Sequence, residues 1–74
     1  MIEYILKKSL EENIAIQIIY NKDENITKRN IKVKDIKENK VKAYCYLRKD
    51  IRYFKLENIL SAKLLNYGSQ KWKI

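Results

Sequence analysis

The chain of 74 residues has no histidine, no proline, one glycine and one cysteine. Each scarcity excludes something. Without histidine, the commonest general acid–base group and metal ligand is missing. A lone cysteine, Cys45, cannot form an internal disulfide, which suits a reducing compartment. With one glycine and no proline there is no flexible or proline-rich linker and no low-complexity segment. No apolar run approaches the roughly 20 residues that span a bilayer. The opening "MIEYILKK" is basic only after its apolar part, the wrong order for export. These features predict one small cytoplasmic domain over residues 1–67, with a loose tail over 68–74 and no membrane association.

Acidic residues are also scarce: nine Asp and Glu stand against seventeen Lys and Arg, a net charge of +8. The excess is localised. Residues 1–27 carry three Lys and five acids, a net of −2, whereas residues 28–55 carry eleven Lys or Arg and three acids, a net of +8. A concentrated positive field points to a polyanion or an anionic ligand. Lysines alone describe a solvated face equally well, so the arginines have to decide.

The apolar pattern is helical at first. Ile2, Ile5, Leu6 and Leu10 recur at helical spacing within residues 2–11, and Asn13 is placed to end the helix. The period then falls to two. Ile14, Ile16, Ile18 and Tyr20 alternate with Ala15, Gln17 and Ile19, and "NKDEN" is a polar turn. In residues 26–36, Ile31 and Val33 face in while Lys28, Lys32 and Lys34 face out. In "KVKAYCYLR", Val41, Ala43, Cys45 and Leu47 share one face, and Lys42, Tyr44, Tyr46 and Arg48 the other. "KD" is expected to close a two-residue hairpin into "IRYFKL". "ENIL" reads as one helical turn and "SAKLLNY" as a last strand. The predicted fold class is mainly β with one N-terminal helix: five short strands, bent and closed into a small barrel that the helix caps.

In that alternation Arg29 shares the phase of Ile31 and Val33, and Arg52 that of Phe54 and Leu56. An unpaired buried charge is costly, so each guanidinium must emerge at a barrel end, pair with a carboxylate or meet an anion. Asp35, Asp50 and Glu57 are the candidate carboxylates. Arg48 falls on the outer phase beside Tyr44 and Tyr46, where arginines and rings together supply phosphate contacts and stacking faces.

"AYCYLRKDIRYFKLENI" (residues 43–59) resembles the core of the WYL domain family, whose pattern is close to W-Y-L-x-A-Y-C-x-x-R-x-x-x-R-x-F-x-[LI]-x-x-I. Ala43, Tyr44, Cys45, Arg48, Arg52, Phe54, Leu56 and Ile59 fall on it in spacing. Upstream, Tyr20, Arg29 and Ile31 match an I-x-Y…R-x-I-x-P segment. The likeness runs over roughly residues 3–65. The name-giving W-Y-L falls on Asn39, Lys40 and Val41, so its first two positions are lost, and the usual proline falls on Val33. The resemblance implies an Sm-like barrel and a ligand-sensing or nucleic-acid-binding module of bacterial and phage transcription regulators, here standing alone. Single-stranded nucleic acid or a nucleotide-like molecule is the ligand class it implies, carried over by position to Tyr20, Arg29, Tyr44, Arg48 and Arg52.

Three function classes follow. The first is a non-enzymatic binding module in which Arg29, Arg48 and Arg52 take phosphates while Tyr44 and Tyr46 stack bases. The second is an interaction or assembly module whose exposed strand edges form a homo-oligomer or dock on a larger protein partner. The third, an enzyme, has little to work with. Cys45 lies on an inward phase as a small core residue, the carboxylates are scattered, and arginines rarely transfer protons. The expectation is no enzyme, no metal and no cofactor.

Overall fold

The structure, a computed structural model, describes residues 1–65. The end of the expected strand "SAKLLNY" and the tail over 68–74 lie outside the described residues.

Helix α1 (Ile2–Glu12) turns Leu6 and Ser9 into the core, with Ile2, Ile5 and Leu10 packed beside them. It ends where the sequence predicts. Asn13 adopts a left-handed conformation, φ 55° and ψ 49°, and its N–H donates to the Ser9 carbonyl. Ser9 then ties the helix to the sheet. Its hydroxyl donates to the Ile14 carbonyl at 2.6 Å and accepts the Val33 N–H at 3.0 Å. A fully buried serine is tolerated here because both hydrogen-bonding roles of its hydroxyl are used.

Five strands follow: β1 (Ala15–Lys22), β2 (Asn25–Lys37), β3 (Lys40–Cys45), β4 (Asp50–Lys55) and β5 (Ile59–Leu64). Their order in the sheet is β4-β3-β2-β1-β5, and all neighbours are antiparallel. Ile16, Ile18, Ile31, Val33, Val41, Ala43, Cys45 and Phe54 alternate onto one face and form the core with Leu6. That is the inward phase predicted from the period of two. The β1–β2 turn places Asp23 and Glu24 at φ 53° and 68°, the pair of positive values that a tight two-residue hairpin requires.

Three expectations are corrected. The sheet does not close into a barrel. It is open, with β4 and β5 as its two edges and no ladder between them among the described residues. The link between these strands is the 3-10 turn Leu56–Asn58, one residue before the helical turn expected at "ENIL", and it carries the chain across to pair with β1. Second, the β3–β4 connection is the four-residue turn 46–49, not the two-residue "KD". Lys49 takes the left-handed position at φ 56°, and its N–H donates to the Cys45 carbonyl at 2.7 Å. Leu47, expected inside, therefore sits at the turn and is 69% exposed. Third, the last strand begins at Ile59, two residues before "SAKLLNY".

Although its two edges are not laddered to each other, the sheet is strongly curled. Tyr20 on β1 meets Phe54 on β4 edge to face, with ring centroids 4.9 Å apart. Two strands lie between β1 and β4 in the sheet, so only curvature brings those rings together. The Tyr20 hydroxyl accepts the Lys55 N–H at 3.0 Å and bridges the open side. A side chain thus supplies what a ladder would have supplied.

Candidate functional site

An open cleft of about 420 Å³ lies at this bridged side of the sheet. Tyr20 and Phe54 form its apolar wall, and Arg29, Arg48 and Arg52 line it. The three arginines come from β2, from the β3–β4 turn and from β4. Arg29 stands opposite Ile18 in the β1–β2 register, half-buried, with its Nε donating to the Thr27 hydroxyl at 3.4 Å. Arg52 stands opposite Ala43, in the phase of Phe54, yet is exposed because β4 is an edge strand. Both inward-phase guanidiniums thus emerge at the same place, one of the three outcomes that burial energetics allows.

Pairing with carboxylates is not what holds them there. Among the described residues the one ion pair is Lys8 with Glu12, at 2.9 Å on the exposed face of α1. There the Glu12 hydrogen bond, and secondarily its charge, raises the Lys8 ammonium above its ordinary pKa. No carboxylate lies within ion-pair reach of Arg29, Arg48 or Arg52 among the described residues. Asp50 accepts the Ile51 N–H at 2.7 Å and Asp35 the Ile36 N–H at 3.0 Å, so both acids are engaged with backbone. Lys22 and Lys55 add two more cations to the cleft, and among the described residues Asp23 is the one acid that lines it. Five converged cations against a single lining carboxylate make a site that gains when an anion enters.

The cleft therefore gathers four of the six residues singled out in the sequence: Tyr20, Arg29, Arg48 and Arg52. It does not gather Tyr44 and Tyr46. Those rings pair edge to face at 5.1 Å, with Tyr44 on the outer face of β3 and Tyr46 at the start of the turn. Tyr20 is only 8% exposed, so it serves as a wall with a hydroxyl and not as an open stacking surface. Lys22, Lys55 and Asn58 were missed. Lys22 had a signal, since it shares the phase of Tyr20 two residues on. Lys55 and Asn58 had none, because only the curl of the sheet brings the end of β4 to β1.

Cys45 reaches the cleft's inner edge but is fully buried, as a core residue would be. No group of three or more His, Cys, Asp or Glu side chains capable of holding a metal is present among the described residues. No helix among them is long and apolar enough to cross a membrane.

No family model matches the chain, and no curated protein does. A solved structure does. Proteasome accessory factor B/C (PafBC) of Arthrobacter aurescens superposes with a TM-score of 0.79 at 17% identity, over 93% of this chain and 12% of that one. The fold is that of a segment of PafBC. At that identity the likeness speaks to fold alone, and this chain spans a small fraction of that protein's length.

Proposed function

We propose that this chain is a WYL-type regulatory binding module, cytoplasmic and non-enzymatic, that takes an anionic ligand in the arginine cleft. Single-stranded nucleic acid or a nucleotide-like molecule is the ligand class. The observation that carries the reading is the convergence of Arg29, Arg48 and Arg52, from three elements, on one cleft where no carboxylate pairs them among the described residues. The fold shared with a segment of PafBC is consistent with the family reading of the motif over residues 43–59. The sheet order and the curl that Tyr20 bridges support an Sm-like description of the fold.

Guanidiniums bind phosphate through forked N–H donors, and charge-assisted hydrogen bonds contribute about 1.5–3 kcal/mol each. Three phosphates neutralised on a single strand give a log–log salt slope of about −2. The test is fluorescence anisotropy of labelled single-stranded DNA and RNA across a salt series. Arg48→Ala/Arg52→Ala should weaken binding by tenfold or more and make the slope shallower by about 1.4. Unchanged affinity in the double variant at low salt refutes the proposal.

A second reading, assembly through strand edges, is favoured by the exposure of β4, which is unpaired on one side and buries only Phe54 of its six residues. Light scattering distinguishes monomer from oligomer, and an oligomer leaves the cleft reading intact.

A further inference from the structure

The arginine cleft does not account for the outer face of the β3–β4 hairpin. Eight large hydrophobic residues are exposed among the described residues, and four of them, Tyr46, Leu47, Ile51 and Tyr53, lie on this one hairpin. Such clustering on a small soluble domain marks an interaction surface. Its chemistry is specific. In the β2–β3 register Lys32 stands directly opposite Tyr44, and in the β3–β4 register Lys42 stands directly opposite Tyr53. Tyr44 and Tyr53 thus each have a lysine as cross-strand neighbour. Tyr44 pairs with Ile51, which makes Tyr44 and Tyr53 diagonal neighbours, about 7–8 Å apart along the backbone lattice. Tyr53 is 64% exposed, so its ring is open to a partner.

Tyr53 also joins two cavities. It lines the arginine cleft, and it lines a second cleft of about 360 Å³ on its other side, where Lys37, Lys40 and Lys42 gather with Asp35 and Glu38. The Asp35 carboxylate there is engaged by the Ile36 N–H. A positive path therefore runs from the arginines, over the β4 edge at Tyr53, onto a face where rings and lysines stand side by side.

We infer that the ligand of the arginine cleft is a single strand of several nucleotides, not a free nucleotide, and that it crosses the β4 edge with a base stacked on Tyr53 and backbone phosphates beside Lys42 and Lys40. This inference rests on the reading of the arginine cleft as an anion site. Rings carrying adjacent cations fit a strand in which bases and phosphates alternate. A lone nucleotide would be satisfied within the arginine cleft and leave Lys40 and Lys42 of the second cleft unused. An acidic protein partner would use the lysines but has no base to place on the rings.

The experiment compares a mononucleotide, an octanucleotide of single-stranded DNA and inorganic polyphosphate, by anisotropy or competition against the intact chain. The octanucleotide should bind at least about tenfold tighter than the mononucleotide. Tyr53→Ala should cost the octanucleotide about fivefold or more, while Tyr53→Phe, which keeps the ring, should retain binding; Lys40→Ala/Lys42→Ala, which line the second cleft and not the arginine cleft, should weaken the octanucleotide and leave the mononucleotide unchanged. Circular dichroism verifies that each variant is folded. Equal affinity for mononucleotide and octanucleotide, an octanucleotide indifferent to Tyr53→Ala, or polyphosphate competing as well as the octanucleotide each overturns the inference while the anion cleft stands. If neither nucleotide binds, the anion-cleft reading fails and the strand path fails with it.

Discussion

Replacing Tyr20 by phenylalanine removes one oxygen atom and keeps the ring. That oxygen accepts the Lys55 N–H at 3.0 Å and bridges β1 to β4, which the sheet does not connect directly. The ring should stay, because its edge-to-face contact with Phe54 at 4.9 Å does not depend on the hydroxyl. What Tyr20→Phe leaves behind is a backbone donor without its acceptor. An orphaned buried donor costs about 1–3 kcal/mol. This bond is only part-buried, so water relieves part of the loss, and about 1–2 kcal/mol is expected. For a domain of this size each kcal/mol lowers Tm by about 4–8 °C, so the variant should melt about 4–16 °C below the parent. Thermal and urea unfolding read the loss, with the urea midpoint falling at constant slope. Hydrogen exchange localises it, since the Lys55 amide should exchange faster than its β3-paired neighbours. Tyr20→Leu, which also loses the aromatic contact, should cost a further 0.5–1.5 kcal/mol or so. A Tyr20→Phe protein that melts within about 2 °C of the parent, with the Lys55 amide still protected, would refute the claim that this hydroxyl holds the open side of the sheet.

Ser9→Ala orphans the Val33 N–H and the hydroxyl's contact to the Ile14 carbonyl at a fully buried site, and should cost about 1–3 kcal/mol in urea unfolding. Glu24→Gly relieves a side chain held at φ 68° in the β1–β2 turn; the gain of about 1–2 kcal/mol exceeds the entropy glycine loses, for a net stabilisation of roughly 0.5–1 kcal/mol, and a lowered urea midpoint would contradict it. Cys45 is fully buried, so a thiol reagent should label it at the rate of unfolding, and rapid labelling of the native protein would contradict its place in the core.

The Glu24 position shows why some of the fold was hard to read. Hairpin turns usually announce themselves with glycine, and none occurs among residues 1–65. Asp23, Glu24, Glu38 and Lys49 take the left-handed positions instead. The "NKDEN" and "KEN" turns were still visible, because the alternation on either side changes phase there. The β3–β4 turn was not, because "YLRK" continues the alternation of its strand in composition although the chain has already left the sheet. This misplaced Leu47 and put Arg48 on a strand.

Local periodicity alone determined the helix, its end at Asn13, the number of strands and the inward phase from Ile16 to Phe54. These depend on side chains a few residues apart, and the burial of one face enforces them. It also determined that Arg29 and Arg52 point the way core residues point. Tertiary structure decided where that direction leads. The register sets Arg29 against Ile18 and Arg52 against Ala43, and the curl bridged by Tyr20 brings β4 to β1. Only then do three arginines remote in sequence share one cleft, with Lys22 and Lys55 beside them and Tyr44 and Tyr46 elsewhere. No local pattern encodes that meeting, because it follows from the curvature of a whole sheet and from a hydrogen bond between residues 35 positions apart.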